Sequence, residues 1–346
     1  MKINLMSLGD YIQDPITGEL PSPAQRHRML IEAAAVAETA GFNGVNIGEH
    51  HGIDYIYSAP PVVLAAIGER TTTLRLGTAV TLLANLDAWR AAEDYATLDV
   101  LSNGRVDVVA GRGNFFASTY TLFGQSVDES RERFDEGVEL FDKLWTSGPV
   151  KWSGEFRASI NGEALQPQPL QPRTPMWIGG GSSPETAELA ARLGFKLMLP
   201  SAFGNPSVFR PIAETYREHF REAGHDTEPE LGGCWHVNVA KNSQDARDRW
   251  EPRYRRYHEW MRELLLRVNP AMPKHMIKPF DYEWLLENGP AIAGSPAQVV
   301  DRINALSEML GGATTHLLYL EMGGMPQSEL LEMVELIGSD VIPALG

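Results

Sequence analysis

The chain has 346 residues, of which 43% are hydrophobic and 22% charged, so it can bury a large core and does not have a disordered composition. The formal net charge of −15 disfavours a nucleic-acid backbone or an anionic membrane as a partner, because both select basic surfaces. Cys234 is the only cysteine, which excludes an internal disulfide and a cysteine-based metal cluster. With no signal-peptide pattern and no apolar run of roughly 20 residues, we expect a cytoplasmic protein.

The organising signal is an alternation of short apolar runs with longer helical patterns. The apolar runs predict eight strands at 2–8, 43–48, 74–80, 105–110, 175–179, 196–200, 232–239 and 315–321. The helical patterns lie at about 23–40, 60–71, 88–102, 130–146, 184–193, 206–223, 243–266, 296–310 and 327–338. Alternating β and α units imply parallel strands with right-handed crossovers, and eight such units close into a (β/α)8 TIM barrel.

A doubly wound open sheet is the rival architecture, but no Gly-x-Gly-x-x-Gly follows the first strand. We therefore predict a single barrel domain over 1–346 with insertions at about 147–174 and 267–294. The first insertion is expected to be a small hairpin followed by an extended link. The second, rich in proline, is expected to be a lid or insertion over one barrel end.

Candidate catalytic residues follow the second predicted strand, in Gly48-Glu49-His50-His51. Barrel active sites lie at the carboxyl ends of the strands, and imidazole titrates near neutral pH, so this segment is well placed for proton transfer. Because neighbouring residues of a strand point in opposite directions, we expect one histidine in the pocket and the other in the loop. From the residues alone, a catalytic role and a structural role for His50 and His51 remain equally open. They indicate no metal site.

Two glycine-rich strand ends indicate a phosphate site. Arg112 lies between two glycines after the fourth strand, where a guanidinium can pair with a phosphate; the alternative is a solvated arginine in a surface turn. After the fifth strand, a glycine run leads into a helix whose amino terminus favours anions, although helix capping would also explain one serine. The residues concerned here are Gly180, Gly181, Ser182, Ser183 and Thr186.

No Lys-Ser or Lys-Thr follows these glycines, so the pattern is not a P-loop and nucleotide hydrolysis is not expected. A phosphate anchor beside a proton-transfer group indicates a phosphate-bearing cofactor that carries out the chemistry. Five aromatic side chains could line a flat pocket, although most aromatic residues are simply core: Tyr55, Tyr57, Phe115, Phe116 and Trp177. The histidines at 27, 219, 225, 258 and 275 are interpreted as surface or structural residues.

Several short sequence segments, in their order and spacing, resemble those of the bacterial-luciferase-like monooxygenase family. They are Gly48-Glu49-His50-His51, Leu76-Gly77-Thr78-Ala79-Val80, the run from Ala92 to Arg105, Gly111-Arg112-Gly113, the glycines from 179, and Gly294-Ser295-Pro296. The resemblance extends from Met1 to about Leu199 and is weak after that. It implies a barrel that binds reduced FMN, forms a C4a-(hydro)peroxyflavin with O2 and oxidises a small organic substrate such as an aldehyde.

The resemblance also assigns residue roles. His50 corresponds to the general acid/base beside the flavin, and Arg112, Ser183 and Thr186 correspond to contacts of the FMN phosphate. The Ala79-Val80 bond corresponds to a non-prolyl cis peptide under the isoalloxazine ring. A separate flavin reductase would supply FMNH2, and helices near 60–71 and 88–102 would form a homodimer interface.

One departure is Gly111, because the luciferase catalytic chain has a cysteine there, which puts light emission in doubt. Two alternatives remain open at this stage. One is an oxidoreductase of the same superfamily that uses the deazaflavin F420 and transfers hydride. The other is a non-catalytic partner subunit like the luciferase beta chain, which the presence of His50 and Arg112 argues against.

Overall fold

The computed structural model describes residues 1–180, 183–269 and 279–346. The described strands are β1 (Lys2–Ser7), β2 (Gly44–Ile47), β3 (Arg75–Thr78), β4 (Val106–Gly111), β5 (Val150–Trp152), β6 (Ile160–Glu163), β7 (Met176–Gly179), β8 (Lys196–Met198), β9 (Leu231–Val239), β10 (Ala291–Gly294) and β11 (Thr315–Tyr319). The described helices are α1 (Pro23–Thr39), α2 (Pro60–Gly68), α3 (Ala88–Leu101), α4 (Ser118–Leu122), α5 (Ser130–Thr146), α6 (Pro184–Arg192), α7 (Arg210–Ala223), α8 (Ser243–Val268), α9 (Tyr282–Asn288), α10 (Pro296–Met309), α11 (Gln327–Leu336) and α12 (Ile342–Leu345).

Eight parallel strands form a closed barrel. They pair in the order β9-β11-β1-β2-β3-β4-β7-β8, and the pairing of Leu197 with Leu231 joins β8 back to β9. Closure confirms the predicted TIM barrel and rules out the open sheet, since an open sheet leaves two unpaired edges. In the described part of the chain, no helix is long and apolar enough to cross a membrane.

The helix starts follow local sequence signals. Ser22 and Gln25 form a capping box at the start of α1, and Ser295 and Gln298 do the same for α10. Proline occupies an early position in both helices, where its missing N–H costs nothing. These signals explain why the starts predicted for α1 and α10, at 23 and 296, agree with the structure, whereas the start predicted at 206 lies four residues before α7 begins.

The two irregular segments differ in outcome. β5 and β6 pair antiparallel, which confirms the hairpin expected in 147–174. Within 267–294, the described residues form α9 and β10, and β10 pairs with the second half of β9 from His236 to Val239. This strand was not among those predicted from the sequence. Its four residues, Ala-Ile-Ala-Gly, are too few to show a pattern, and they directly follow Gly289-Pro290. The division into one domain with two insertions stays a prediction.

Helix α8 crosses towards the carboxyl-terminal end of the barrel. Its 26 residues span about 39 Å. Arg267, in its last turn, lies 2.7 Å from Asp54 in the loop after β2, and Asn269 just beyond it donates to the carbonyl of Phe115 after β4 at 3.0 Å. Among the described residues, α8 therefore covers part of the barrel mouth.

Candidate active site

The segment after β2 separates its two histidines into different environments. Glu49 is buried and accepts a hydrogen bond from the Leu82 N–H at 3.1 Å. Its other carboxylate oxygen lies 2.8 Å from Nε2 of His51, and the His51 ring packs against Phe123. His51 is therefore held by the carboxylate and the loops, as expected for one member of the pair.

His50 lies among aromatic rings and has unused hydrogen-bonding capacity. Its ring stacks on Tyr55 at 3.9 Å between centroids and meets the Phe116 ring edge-on at 5.7 Å. Its Nδ1 is buried without a hydrogen-bond partner. Burial, assisted by the neighbouring His51, lowers the pKa of His50 to about 3, so the ring is neutral at physiological pH. A neutral imidazole with a free nitrogen can accept or hold a proton.

The Ala79-Val80 peptide bond, directly after β3, is cis, as the resemblance implied. The Val80 side chain lies between the ends of β4 and β7. A Cβ atom added at Gly111 would be 2.5 Å from a Val80 methyl carbon, and one added at Gly179 would be 2.7 Å from the other. Both glycines are therefore required by the space that Val80 occupies, and the cysteine found in the luciferase catalytic chain does not fit at position 111.

This packing makes a stability prediction for Gly111→Ala. We expect a loss of about 1–3 kcal/mol in the free energy of unfolding, because the new methyl group overpacks against Val80. Replacing Val80 with alanine in the same chain should recover part of that loss. Gly148→Ala is the matched control, since nothing lies within 4 Å of its added Cβ. Urea unfolding of the wild type and these three variants checks this, and a Gly111→Ala loss no larger than that of Gly148→Ala would contradict it.

A cluster of two arginines and two hydroxyls lies at the ends of β4 and β7. Arg131, on α5, donates to the Ser183 hydroxyl at 2.8 Å and to the Thr186 hydroxyl at 3.3 Å. Arg112 donates to the Ser130 hydroxyl at 2.7 Å, and among the described residues its buried Nε has no partner. Burial lowers the pKa of Arg112 and the charge of Arg131 lowers it further, whereas the charges of Asp135 and Glu132 raise it.

The surroundings of this cluster favour an anion. Ser183 is the residue before α6, but its hydroxyl makes no capping hydrogen bond to the helix, so capping does not explain it. Three acids lie near the cluster. Asp135 is 3.9 Å from Arg131 and its pKa is raised by burial, Glu185 accepts a hydrogen bond from the Ser183 hydroxyl, and the charge of Glu132 acts on Arg112. Two guanidiniums, an unpartnered Nε and two hydroxyls beside a helix amino terminus have the chemistry of a phosphate site.

The glycine run after β7 is only partly described, because Gly181 and Ser182 lie outside the described residues. The Gly180 N–H donates to the carbonyl of Met198 at 3.1 Å, so this amide is already engaged. A Cβ at Gly180 would lie 3.0 Å from the Thr186 methyl carbon. The role left for Gly180 is to give space to Thr186 rather than to donate to an anion.

The predicted aromatic pocket is correct for only some of its members. Tyr55 and Phe116 contact His50. Phe115 instead stacks on Phe203, and Tyr57 packs near Gly9 and His27. Trp177 lies under the Lys196 ammonium at 5.1 Å and lines a cavity of about 640 Å³ that opens among the amino-terminal ends of the strands. Strand alternation points Trp177 inward, but it is too deep in the barrel to reach the mouth.

Three functional candidates were not predicted from the sequence: Arg131, His236 and His258. Arg131 belongs to the polar face of α5, a pattern that indicates a solvated helix. His236 lies inside the strand predicted at 232–239 and was not singled out, and His258 on α8 was interpreted as a surface or structural residue. Both histidines have an Nε2 atom that is buried without a partner. No local sequence signal distinguishes these three, since their partners are distant along the chain.

A parallel (β/α)8 barrel with these groups at its carboxyl-terminal mouth belongs to the class of barrel enzymes whose active site is built from the βα-loops. The family model described as luciferase-like monooxygenase matches residues 6–313. The chain therefore belongs to the luciferase-like monooxygenase family and is an enzyme of the monooxygenase class.

Individual relatives agree with this assignment. The oxygenase component of a flavin-dependent trigonelline monooxygenase from Acinetobacter baylyi is 25% identical, with 92% of this chain and 90% of the relative covered. The solved structure of the monooxygenase RslO1 from Streptomyces bottropensis has a TM-score of 0.87 at 26% identity, with both chains fully covered. An F420-dependent secondary alcohol dehydrogenase, at 20% identity and a TM-score of 0.73 over 100% and 99% of the two chains, shares the fold.

Proposed function

We propose that this chain is the oxygenase of an FMN-dependent monooxygenase that takes up reduced FMN and O2 and oxidises a small organic substrate such as an aldehyde. The observation that carries the proposal is the anion cluster of Arg112, Arg131, Ser183 and Thr186 at the same barrel mouth as the neutral His50 ring. When bound, reduced FMN would supply the activation of O2.

The cluster fits the phosphate of FMN. Arg131 orients the hydroxyls of Ser183 and Thr186, and the unpartnered Nε of Arg112 gives a further donor. A dianionic phosphate would pair with both guanidiniums through charge-assisted hydrogen bonds. We infer that Arg131 is a phosphate ligand together with the three residues identified from the sequence.

His50 is the proton-transfer group in this proposal. The ring makes a backbone contact with Leu8, and its Nδ1 atom has no hydrogen-bond partner within the described residues, so Nδ1 is the atom proposed to take part in proton transfer. Tyr55 and Phe116 fix the plane of the ring. The Val80 side chain fills the space between the ends of β4 and β7. Ala79 and Val80 would form the floor of the mouth on which the flavin ring lies.

Partners are also proposed. The trigonelline relative is named as an oxygenase component, which supports a separate reductase that supplies reduced FMN to this chain as well. A homodimer through α2 and α3 is supported by the exposure of apolar side chains on these helices, with Val62 70% and Leu101 60% exposed. Burial of such side chains on association would be favourable.

The function is tested by oxygen-dependent turnover of a panel of aldehydes with reduced FMN, in the wild type and in His50→Ala. We expect His50→Ala to keep its FMN affinity and to lower kcat by roughly 10²–10⁴-fold, the usual contribution of a general acid/base. His225→Ala, which removes a histidine bonded to the Ala191 carbonyl far from the mouth, is the control. Unchanged turnover in His50→Ala would remove His50 from the mechanism, and no oxygenated product from any aldehyde would refute aldehyde oxidation.

A further inference from the structure

The inward face of β9 presents two polar side chains to the barrel interior. Thr315 and Leu317 line the barrel cavity, so alternation along β11 points Tyr319 inward as well. In the β9–β11 register, Gly232 is opposite Thr315 and His236 is opposite Tyr319. His236 therefore faces the interior near the carboxyl-terminal mouth, and Asn238 follows on the same face.

Both side chains have unused hydrogen-bonding capacity although they are 2% exposed. Nδ1 of His236 lies 2.8 Å from the Tyr254 hydroxyl, whereas among the described residues its Nε2 and Oδ1 of Asn238 have no hydrogen-bond partner. We assign the Tyr254 hydroxyl as the donor to Nδ1, which places the hydrogen of the neutral ring on Nε2. Burial lowers the pKa of His236 well below 6.5, which keeps the ring neutral. A buried donor without a partner is unfavourable, and a bound ligand that accepts a hydrogen bond from it would remove this cost.

Aromatic rings connect His236 to the His50 side of the mouth. The rings of Tyr254, Tyr257 and Tyr319 lie 5.6, 6.2 and 6.1 Å from the His236 ring between centroids. The Tyr257 hydroxyl is 3.3 Å from that of Tyr55, whose ring stacks on His50. These connected rings make the surroundings of His236 aromatic and largely apolar.

The buried charges beside these rings disfavour an anionic ligand. Arg26 forms an ion pair with Glu321 at 2.9 Å, and Asp10 accepts a hydrogen bond from the Tyr319 hydroxyl. Burial raises the pKa of Asp10 to about 6. Two carboxyl groups share one guanidinium next to Tyr319, so a third carboxyl group, on a ligand, would be disfavoured there.

We propose that the Nε2–H of His236 donates to the carbonyl oxygen of the substrate, and that the substrate is a neutral aromatic aldehyde or ketone. This inference rests on the proposed function, because it takes the bound carbonyl compound to be the molecule that is oxidised. His236 is then a substrate-binding residue, separate from the phosphate cluster at Arg112 and Arg131.

Binding in the absence of flavin tests the inference independently of oxygenation. Acetophenone, ethylbenzene and benzoate are titrated into the full chain, and the 15N-edited signal of the His236 Nε2–H is followed in parallel. We expect acetophenone to shift that signal and to bind about tenfold more tightly than ethylbenzene, which lacks only the carbonyl, with benzoate weaker still. His236→Phe keeps the ring volume and should abolish the preference for acetophenone over ethylbenzene.

His316→Phe is the matched control for the loss of a buried histidine. Its Nδ1 accepts from the Trp235 N–H at 2.9 Å and its Nε2 is also unpartnered, but it lies on the outward face of β11. This variant should keep the tenfold preference. Three results would overturn the inference. His236→Phe could prefer acetophenone over ethylbenzene as strongly as the wild type does, benzoate could bind more tightly than acetophenone, or acetophenone could leave the His236 signal unshifted. If an aldehyde is oxygenated but His236→Phe does not change the preference for acetophenone, the inference is refuted and the proposed function stands. If acetophenone is recognised through His236 but no substrate is turned over, the inference stands and the proposed function is refuted.

Discussion

Replacing Arg131 or Arg112 with alanine is expected to weaken FMN binding by about 2–3 kcal/mol, which is roughly 30- to 150-fold in Kd. Each guanidinium would make charge-assisted hydrogen bonds to the phosphate, and removal of Arg131 would also release the hydroxyls of Ser183 and Thr186 that it holds at 2.8 and 3.3 Å. Fluorescence titration with FMN measures the effect.

Riboflavin gives the sharpest control, since it has the flavin ring and ribityl chain of FMN without the phosphate. Both substitutions should leave the riboflavin affinity unchanged. Arg192→Ala should leave both affinities unchanged, because Arg192 is at the other end of α6 and pairs with Glu139 on the surface. An equal loss for FMN and riboflavin would place the arginines away from the phosphate, and no loss for FMN would contradict the cluster as its site.

Replacing Arg253 with methionine is expected to lower the free energy of unfolding by about 3–5 kcal/mol, the usual cost of removing one partner from a buried ion pair. Arg253 is 1% exposed and donates to both oxygens of Asp14 at 3.0 Å and to Glu329 at 2.7 Å. These bonds attach α8, which covers part of the mouth, to the loop after β1 and to α11. Asp14, 1% exposed, would be left as a buried charge without its cation.

Arg249→Met is the matched control for this prediction. Arg249 lies one turn earlier on α8 and pairs with Glu332 at 3.2 Å, with the two side chains 35% and 51% exposed. Such a surface pair contributes about 0–1 kcal/mol, so urea unfolding should separate the two variants clearly. A loss in Arg253→Met no greater than in Arg249→Met would show that the buried pair does not stabilise the position of α8.

The Arg253 contribution should also depend on pH in a defined direction. Burial alone would raise the pKa of Asp14, but the hydrogen bonds from Arg253 and the Ile16 N–H lower it below its ordinary value. A carboxyl whose pKa is lowered by folding binds fewer protons in the native state. Its stabilising contribution is therefore complete at neutral pH and is lost as the pH falls through that lowered pKa.

The barrel was predictable because its signals are local. Buried parallel strands produce continuous apolar runs such as Val106–Ala110, and capping residues with early prolines mark the helix starts. β10 escaped prediction because its four residues follow a Gly-Pro turn and pair with β9 across more than 50 positions of the chain. Long-range pairing of so short a strand has no periodicity of its own.

The site was predictable only where residues lie directly after a strand. His50, Val80, Arg112 and Ser183 follow four different strands, so the barrel topology alone places them at one end. Arg131 reaches the same place from the side of a helix, 52 residues before its partner Ser183. His236 and Tyr319 share the inward face only because of the β9–β11 register, which the sequence does not specify.

The central claim is that the mouth of this barrel binds FMN through Arg112, Arg131, Ser183 and Thr186. Equilibrium titration of the wild-type chain with FMN and, separately, with the deazaflavin F420, followed by flavin absorbance, tests it most directly. We expect FMN to bind saturably and F420 to bind much more weakly or not at all. Tight binding of F420 without binding of FMN would contradict it and favour hydride transfer, and a chain that binds neither cofactor would contradict any flavin-dependent activity.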